Sequence, residues 1–204
     1  MRSTAVNAPA PVPTHEDLQP FLEALKSIAT ALKADGVPFA LAGSYAVYAR
    51  GGARSLHDVD FVVPASALPD AVATLESRDF RIERPPEDWL IKAYHGNLCI
   101  DLIHTLANGP VDAAMLERAE ELPVESVRMP VLAATDLLTA KLMAMWEHAC
   151  DFEPVLGMAR TLREQIDFDA VAAECDGHAY AEAALFLLTR LGIRPEPGEA
   201  TDVR

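Results

Sequence analysis

Two carboxylates stand close together at the start of an apolar segment, and this pair limits what the chain can fold into. Asp58 and Asp60 precede an apolar run that ends at Val63. In a β-strand, residues i and i+2 project from the same face, so the two like charges would be neighbours. Buried carboxylates without a partner are costly and repel each other. Because a divalent cation held between them would remove both costs, the pair predicts a metal site on a sheet.

A glycine-serine corner precedes the acid pair. Residues 39–42 form an apolar run that predicts a short strand, and Gly43-Ser44 then opens a predicted short helix over residues 44–49. Glycine allows a ligand to approach the backbone closely, and the N–H groups that open a helix can bind an anion. Residues 50–54 read as a flexible connection to a second strand over residues 57–63. These features predict an anion site beside the metal site.

This arrangement resembles the active-site motif of the DNA polymerase beta-like nucleotidyltransferase superfamily: a strand, Gly-Ser, a short helix, then Asp-x-Asp on the next strand. The run from Arg54 to Asp60 is also similar to the Arg-Ser/Thr-x-x-Asp-x-Asp form found in a small bacterial branch that includes the AbiEii-type toxins. The resemblance implies an α/β (α+β) fold, with a mixed sheet flanked by helices and a C-terminal helical region. It also implies transfer of a nucleoside monophosphate from an NTP to a hydroxyl acceptor.

Three carboxylates are the catalytic and metal-binding candidates that the resemblance implies. Asp58 and Asp60 would share two Mg²⁺ ions, which can stabilise both ends of an in-line displacement. Asp101 would be the third acid, because it stands alone among apolar residues on a predicted strand over residues 98–104. The alternative for Asp101 is a strand residue that is held only by a salt bridge.

Four further residues are candidates for nucleotide binding. Gly43 would allow the triphosphate to approach the backbone, and Ser44 would offer a hydroxyl and an N–H to the β- or γ-phosphate. Arg54 could neutralise phosphate charge or be a surface arginine. Lys141 lies in an apolar helix predicted over residues 136–148, where it either contacts the nucleotide or extends to solvent.

The charge of the chain restricts its partners. It carries 31 acidic against 17 basic residues, a net charge of −14, which repels phosphate backbones and argues against a broad nucleic-acid surface. A local basic pocket, a cationic small substrate or a protein partner, such as an antitoxin, remains compatible with this charge. Three well-separated cysteines without Cys-x-x-Cys spacing are typical of reduced thiols in the cytoplasm. No apolar run has the length of a membrane span.

The chain divides into four predicted segments. Residues 1–13 are rich in Ala and Pro and predict a flexible tail, residues 14–130 the nucleotidyltransferase-like core, residues 131–193 a C-terminal helical region, and residues 194–204 a second flexible tail. Within the core, the sequence predicts a long first helix over residues 15–34 and one strand over residues 124–129. Thr135 is expected to cap the helix over residues 136–148.

The acceptor is left open by the sequence. A tRNA, a protein and a small molecule are all compatible with this core. A second hypothesis is a catalytically idle relative that binds nucleotide or a partner protein as a regulatory module. Retention of three carboxylates favours the enzyme, and magnesium-dependent release of pyrophosphate would separate the two hypotheses.

Overall fold

A computed structural model describes residues 14–53, 58–96 and 98–196. The strands are β1 (Ala40–Ala42), β2 (Val59–Val62), β3 (Arg81–Glu83), β4 (Leu90–His95), β5 (Leu98–Ile103), β6 (Thr105–Leu106), β7 (Gly109–Pro110), β8 (Glu120–Val124) and β9 (Val127–Val131). The α-helices are α1 (His15–Ala34), α2 (Gly43–Ala49), α3 (Leu68–Glu76), α4 (Ala113–Glu117), α5 (Ala134–Met143), α6 (Glu153–Leu162), α7 (Phe168–Glu174) and α8 (Ala179–Arg190). The predicted mixed α/β architecture is confirmed.

Seven strands form one mixed sheet in the order β3-β4-β5-β2-β1-β9-β8. The pairs β2–β5 and β1–β9 are parallel, and the other neighbours are antiparallel. The strands β6 and β7 pair separately as a small hairpin that the sequence did not predict. Helix α1 contacts both α3 and the central sheet, so these two helices cover one face of it. None of the helices in the described part of the chain is both long and apolar enough to cross a membrane.

The first helix follows directly from its sequence. Thr14 and Asp17 form a capping box, in which each side chain accepts the other's backbone N–H. Buried side chains recur at helical spacing along the sheet-facing side: Leu22, Leu25, Ile28, Ala29 and Leu32. The predicted bounds of this helix are confirmed.

Three local predictions in the second half of the chain are wrong. The single strand expected over residues 124–129 is a hairpin, β8 and β9, that turns at residues 125 and 126. Helix α5 ends at Met143, because the chain closes a turn in which Trp146 and Ala149 exchange backbone hydrogen bonds. Thr135 does not cap α5; its hydroxyl instead accepts the N–H of Asp167, at 2.9 Å, and so ties α5 to the start of α7.

The C-terminal helices enclose an apolar cluster of their own. Its buried members come from residues 134–193 and include Leu138, Leu142, Val155, Leu162, Phe168, Val171, Leu185 and Leu188. The sheet, α1 and α3 enclose the other cluster, which also takes in Val131, Leu132 and Leu137. The division at residue 130 stays a prediction. Residues 1–13 and 197–204 of the predicted tails lie outside the described residues.

Arg50 joins the sheet to the helical region, and its prediction as part of a flexible connection is wrong. Its side chain is only 2% exposed. Nε donates to the carbonyl of Leu132 at 2.6 Å, Nη2 lies 3.0 Å from a Glu120 carboxylate oxygen, and Nη1 donates to Gln165 Oε1 at 3.1 Å. The Gln165 amide in turn donates to the Arg50 carbonyl at 3.1 Å. The Arg50 guanidinium thus links the end of α2 to the sheet, near Glu120 and Leu132, and to the helical region at Gln165.

Replacing Arg50 with methionine should destabilise the protein strongly. The substitution Arg50→Met leaves several buried acceptors without a donor, a loss of about 3–5 kcal/mol. For a chain of this size the melting temperature should fall by roughly 6–20 °C. Thermal unfolding measures the effect, with Arg163→Met as control, because Arg163 is exposed and its ion pair among the described residues is with the adjacent Glu164. The control should shift the melting temperature by no more than about 2 °C, and a similar shift in both variants would contradict the assigned role of Arg50.

Candidate active site

The parallel register of two central strands brings the predicted acids together. β2 and β5 pair with Asp60 directly opposite Asp101, and the antiparallel pairing of β1 and β2 places Ala42 opposite Asp60. Residues that face each other across a ladder lie on the same face of the sheet. Asp58 lies two residues before Asp60 and therefore shares this face as well. Asp58 is exposed, Asp60 is half-buried and Asp101 is buried.

Gly43 forms the wall of the site next to Asp60. Its backbone has a φ of +58°, which an L side chain rarely adopts. A Cβ added at Gly43 would lie 1.9 Å from Asp60 Oδ2 and 2.8 Å from its carboxyl carbon. Two independent constraints, the backbone conformation and the space that Asp60 fills, therefore require glycine at this corner.

Burial and like charge raise the pKa of Asp60 to about 7, from an ordinary value of 3.8. Loss of solvation is the largest cause, and the charges of Asp101 and Asp58 add to it. The cations of Lys92 and Lys141 act in the opposite direction. The face of the sheet that carries Asp58, Asp60 and Asp101 thus concentrates negative charge, which the two lysines offset only in part. A bound cation would relieve this repulsion.

Asp101 is held by a lysine that the sequence analysis did not single out. Lys92 on β4 pairs with Asp101 across the antiparallel ladder, and its Nζ donates to Asp101 Oδ1 at 2.9 Å. This hydrogen bond raises the pKa of Lys92. Cys99, two residues before Asp101 on the same face, lies with its Sγ 3.6 Å from the same oxygen. Asp101 therefore shares a sheet face with Asp60 and is salt-bridged to Lys92, while its role as a third catalytic acid stays a prediction.

The carboxylates suit magnesium in their chemistry but do not form a closed cage. Within residues 14–53, 58–96 and 98–196, no three His, Cys, Asp or Glu side chains are grouped closely enough to hold a metal ion. Magnesium commonly takes one or two carboxylates from the protein and completes its shell with phosphate oxygens and water. Asp58 and Asp60 are such a pair in position and chemistry, and burial together with neighbouring negative charge raises the pKa of Asp60.

The structure describes three of the four residues that are predicted to bind nucleotide. Ser44 opens α2, and its Oγ is buried without a hydrogen-bond partner in the described part of the chain. Lys141 is exposed on α5, and its charge reaches Asp60. Gly43, Ser44 and Lys141 are thus gathered around the acids. Arg54 lies outside the described residues.

Lys92 carried a signal in the sequence that could have been used. It is a charged residue in a strand whose neighbours are apolar, Leu90-Ile91-Lys92-Ala93, and the next strand carries the isolated Asp101. Two opposite charges in adjacent antiparallel strands commonly pair across the ladder. The sequence predicts strands over residues 89–94 and 98–104 joined by residues 95–97, and applying that rule to them would have paired Lys92 with Asp101.

A family model for uncharacterised nucleotidyltransferases matches residues 17–193. The chain belongs to this family. The match includes the glycine-serine corner, the acids and the C-terminal helices. It does not separate the AbiEii-type branch from other nucleotidyltransferases. No curated protein sequence matches this chain.

Solved structures share the fold at low sequence identity. A crystal structure of ANT(2")-Ia in complex with adenylyl-2"-tobramycin has a TM-score of 0.51 and 15% identity, and the match covers 84% of this chain and 98% of that one. A solution structure of ANT(2'')-Ia has a TM-score of 0.53 and 15% identity, over 85% and 94% of the two chains. TM1012 from Thermotoga maritima has a TM-score of 0.51 and 16% identity, over 61% and 84%. These matches establish the nucleotidyltransferase fold.

Adding a methyl group at Gly43 should cost more than its backbone conformation alone. Gly36 has a similar φ of +69° with nothing within 4 Å of an added Cβ, so Gly36→Ala measures the conformational cost, about 1–2 kcal/mol. Gly43→Ala adds the collision with Asp60 and should lower the melting temperature by several degrees more. Thermal unfolding of both variants gives the difference. Asp60→Ala should remove most of that excess in the double variant, and equal losses for the two glycines would refute the contact.

Proposed function

We propose that this protein is a magnesium-dependent nucleotidyltransferase that moves a nucleoside monophosphate, with ATP as the first donor to test, to a hydroxyl of a small molecule. The observation that carries the proposal is the register that sets Asp60 opposite Asp101 and against Gly43, with a pKa raised to about 7. Membership of the nucleotidyltransferase family supports the reaction class.

Asp58 and Asp60 would be the shared ligands of two magnesium ions. Such ions stabilise the charge that develops on the transferring phosphoryl group and on the leaving pyrophosphate. The two carboxylates would orient the α-phosphate, with phosphate oxygens completing the coordination that the protein leaves open. In the reaction, the acceptor oxygen bonds to the α-phosphorus as the bond to the β-phosphate oxygen breaks.

β1 and β5 flank β2 on opposite sides, and we assign the phosphates to the β1 side of Asp60 and the acceptor hydroxyl to the β5 side. Gly43 and Ser44 follow β1, on one side of Asp60, and their position suits the β- and γ-phosphates. Asp101 on β5 lies on the other side of Asp60, where the acceptor hydroxyl would approach and lose its proton. Lys141, whose charge already reaches Asp60, would offset phosphate charge from the α5 side.

A small, cationic acceptor suits the charge of this protein better than a tRNA. The net charge of −14 opposes the approach of a phosphate backbone and attracts cations. ANT(2")-Ia, which shares the fold, is seen in complex with adenylyl-2"-tobramycin. A protein acceptor, an antitoxin partner, AbiEii-type toxin activity, a bacterial source and a cytoplasmic location stay predictions.

The variant Asp60→Asn should abolish transfer without unfolding the protein. Labelled ATP and magnesium are incubated with aminoglycosides, with tRNA and with protein extract, and release of pyrophosphate is followed. Wild type should label the cationic small molecules, and Asp60→Asn should lose at least about 10²-fold in rate, because a shared metal ligand is gone. If wild type labels tRNA or protein instead, the proposed acceptor class is wrong.

The same variant should be at least as stable as wild type in metal-free buffer. Because the pKa of Asp60 is raised on folding, its ionisation disfavours the fold as the pH rises from about 4 to about 7. Solvent screening of the half-buried carboxylate reduces this penalty, so Asn should gain about 1–2 kcal/mol at pH 8 and little near pH 4. A fall in melting temperature combined with full activity would contradict the assignment.

Magnesium and ATP together should stabilise the protein more than the sum of their separate effects. Without metal the acids repel the triphosphate, and without nucleotide the cleft offers magnesium few ligands. At a hundredfold excess over the dissociation constant, the gain is about 2.7 kcal/mol, or a melting shift of roughly 5–10 °C. Thermal unfolding with each component and with both measures it, and Asp58→Asn is the control that should lose the joint effect.

The two assays together separate the enzyme from an idle relative. A joint magnesium-ATP shift without transfer to any acceptor would identify a nucleotide-binding module. Purely additive shifts would exclude the joint binding of magnesium and nucleotide, and no shift with any NTP would argue against nucleotide binding at this site.

A further inference from the structure

Lys92 already forms a salt bridge with Asp101, the candidate third acid, in the free protein. Its ammonium lies 2.9 Å from Asp101 Oδ1, and the two side chains are 27% and 12% exposed. A contact of this length between charged groups that are largely shielded from water is a strong, charge-assisted hydrogen bond. The chain itself therefore supplies Asp101 with a counter-ion.

The contacts around this pair concentrate on a single carboxylate oxygen. Asp101 Oδ1 accepts from Lys92 and also lies 3.6 Å from Cys99 Sγ, while Lys92 Nζ lies 3.8 Å from the same sulfur. In the described ranges, the structure gives no hydrogen bond to Oδ2 of Asp101. Lys92 is thus the cation that this carboxylate holds, and the thiol packs beside the pair.

A divalent ion at Asp101 would meet this ammonium directly. An ion bound to either oxygen of the carboxylate would lie within a few ångströms of Lys92 Nζ, and the two like charges repel at that distance. Asp60 differs from Asp101, because the described residues give it no cation in hydrogen-bond contact, and Lys92 and Lys141 act on it only through longer-range charge.

We propose that Lys92 is the resident counter-ion of Asp101, and that a divalent cation binds Asp101 only by displacing the ammonium of Lys92. The proposal rests on the proposed function only in giving the bound cation a catalytic role. It is consistent with the described residues, which contain no group of three side chains placed to hold a metal ion and in which Asp101 is paired with Lys92. The pair Asp58 and Asp60 would accept the first ion, and Asp101 would join only after Lys92 has moved.

Removing the ammonium should have opposite effects on the free and on the metal-bound protein. Lys92→Met leaves a largely buried carboxylate without its partner, so the metal-free protein should melt lower by roughly 4 °C or more. The same change removes a positive charge next to the ion. The variant should therefore bind Mn²⁺, a spectroscopic substitute for Mg²⁺, about tenfold more tightly than wild type does. Electron paramagnetic resonance measures the free Mn²⁺, and thermal unfolding with and without Mn²⁺ measures the stability.

Three matched variants separate this role from a structural one. Lys92→Arg keeps the charge and should keep the Mn²⁺ affinity near that of wild type. Lys141→Met removes an exposed cation that also acts on Asp60, and it should alter Mn²⁺ affinity by less than about threefold and leave the metal-free melting temperature unchanged. Asp101→Asn should abolish most of the tightening when combined with Lys92→Met.

The outcomes decide the proposal independently of activity. Unchanged or weaker Mn²⁺ binding by Lys92→Met would overturn it, as would full tightening in the double variant with Asp101→Asn. A wild type that binds no Mn²⁺ overturns both this proposal and metal dependence. Lack of transfer to any acceptor, with the Mn²⁺ coupling intact, would remove the proposed function and leave the role of Lys92 standing.

Discussion

The repulsion among three carboxylates on one face of the sheet is the interaction on which the site depends. Two parallel strands set Asp60 opposite Asp101, and Asp58 follows from the two-residue period of β2. The cost of this arrangement is visible in the raised pKa of Asp60. A hydrophobic residue at position 60 would be cheaper for the fold, since its neighbours on β2 are buried and apolar. The packing of the strand therefore does not explain the charge, whereas the proposed magnesium site would.

The rest of the fold holds this unfavourable arrangement in place. Parallel pairing of β2 and β5 needs a crossover, and residues 65–95 provide it through α3, β3 and β4. Arg50, buried at the end of α2, anchors the glycine corner to the β9 carbonyls and to the helical region. Displacement of α2 would move Gly43, which is in contact distance of Asp60. The stability of the helical region and the geometry of the acids are linked through this arginine.

Local signals allowed the acids, the corner and the long first helix to be predicted. Asp58 and Asp60 are charged residues beside an apolar run, and Gly43 directly follows another apolar run. Each can therefore be recognised from the few residues around it. Arg50 was missed because Leu132 and Gln165, which accept hydrogen bonds from it, lie 82 and 115 residues away in the chain. Lys92 was missed because opposite charges on adjacent strands were not paired. The hairpin of β8 and β9 was missed for a similar reason, because a tight turn at a non-glycine residue, Glu125 with φ 53°, carries a weak sequence signal.

The balance of charge in the cleft gives binding a preferred order. Beside the three acids, the cations of Lys92 and Lys141 act on Asp60, and Lys92 is hydrogen-bonded to Asp101. A triphosphate that arrives alone meets more repulsion than attraction, whereas a triphosphate that carries magnesium brings the cations the cleft is short of. On the proposed mechanism, Lys92 stays paired with the Asp101 carboxylate until that complex arrives, so the free site keeps a counter-ion and magnesium-nucleotide would displace it. An acidic protein can in this way bind an anionic substrate without a broad basic surface.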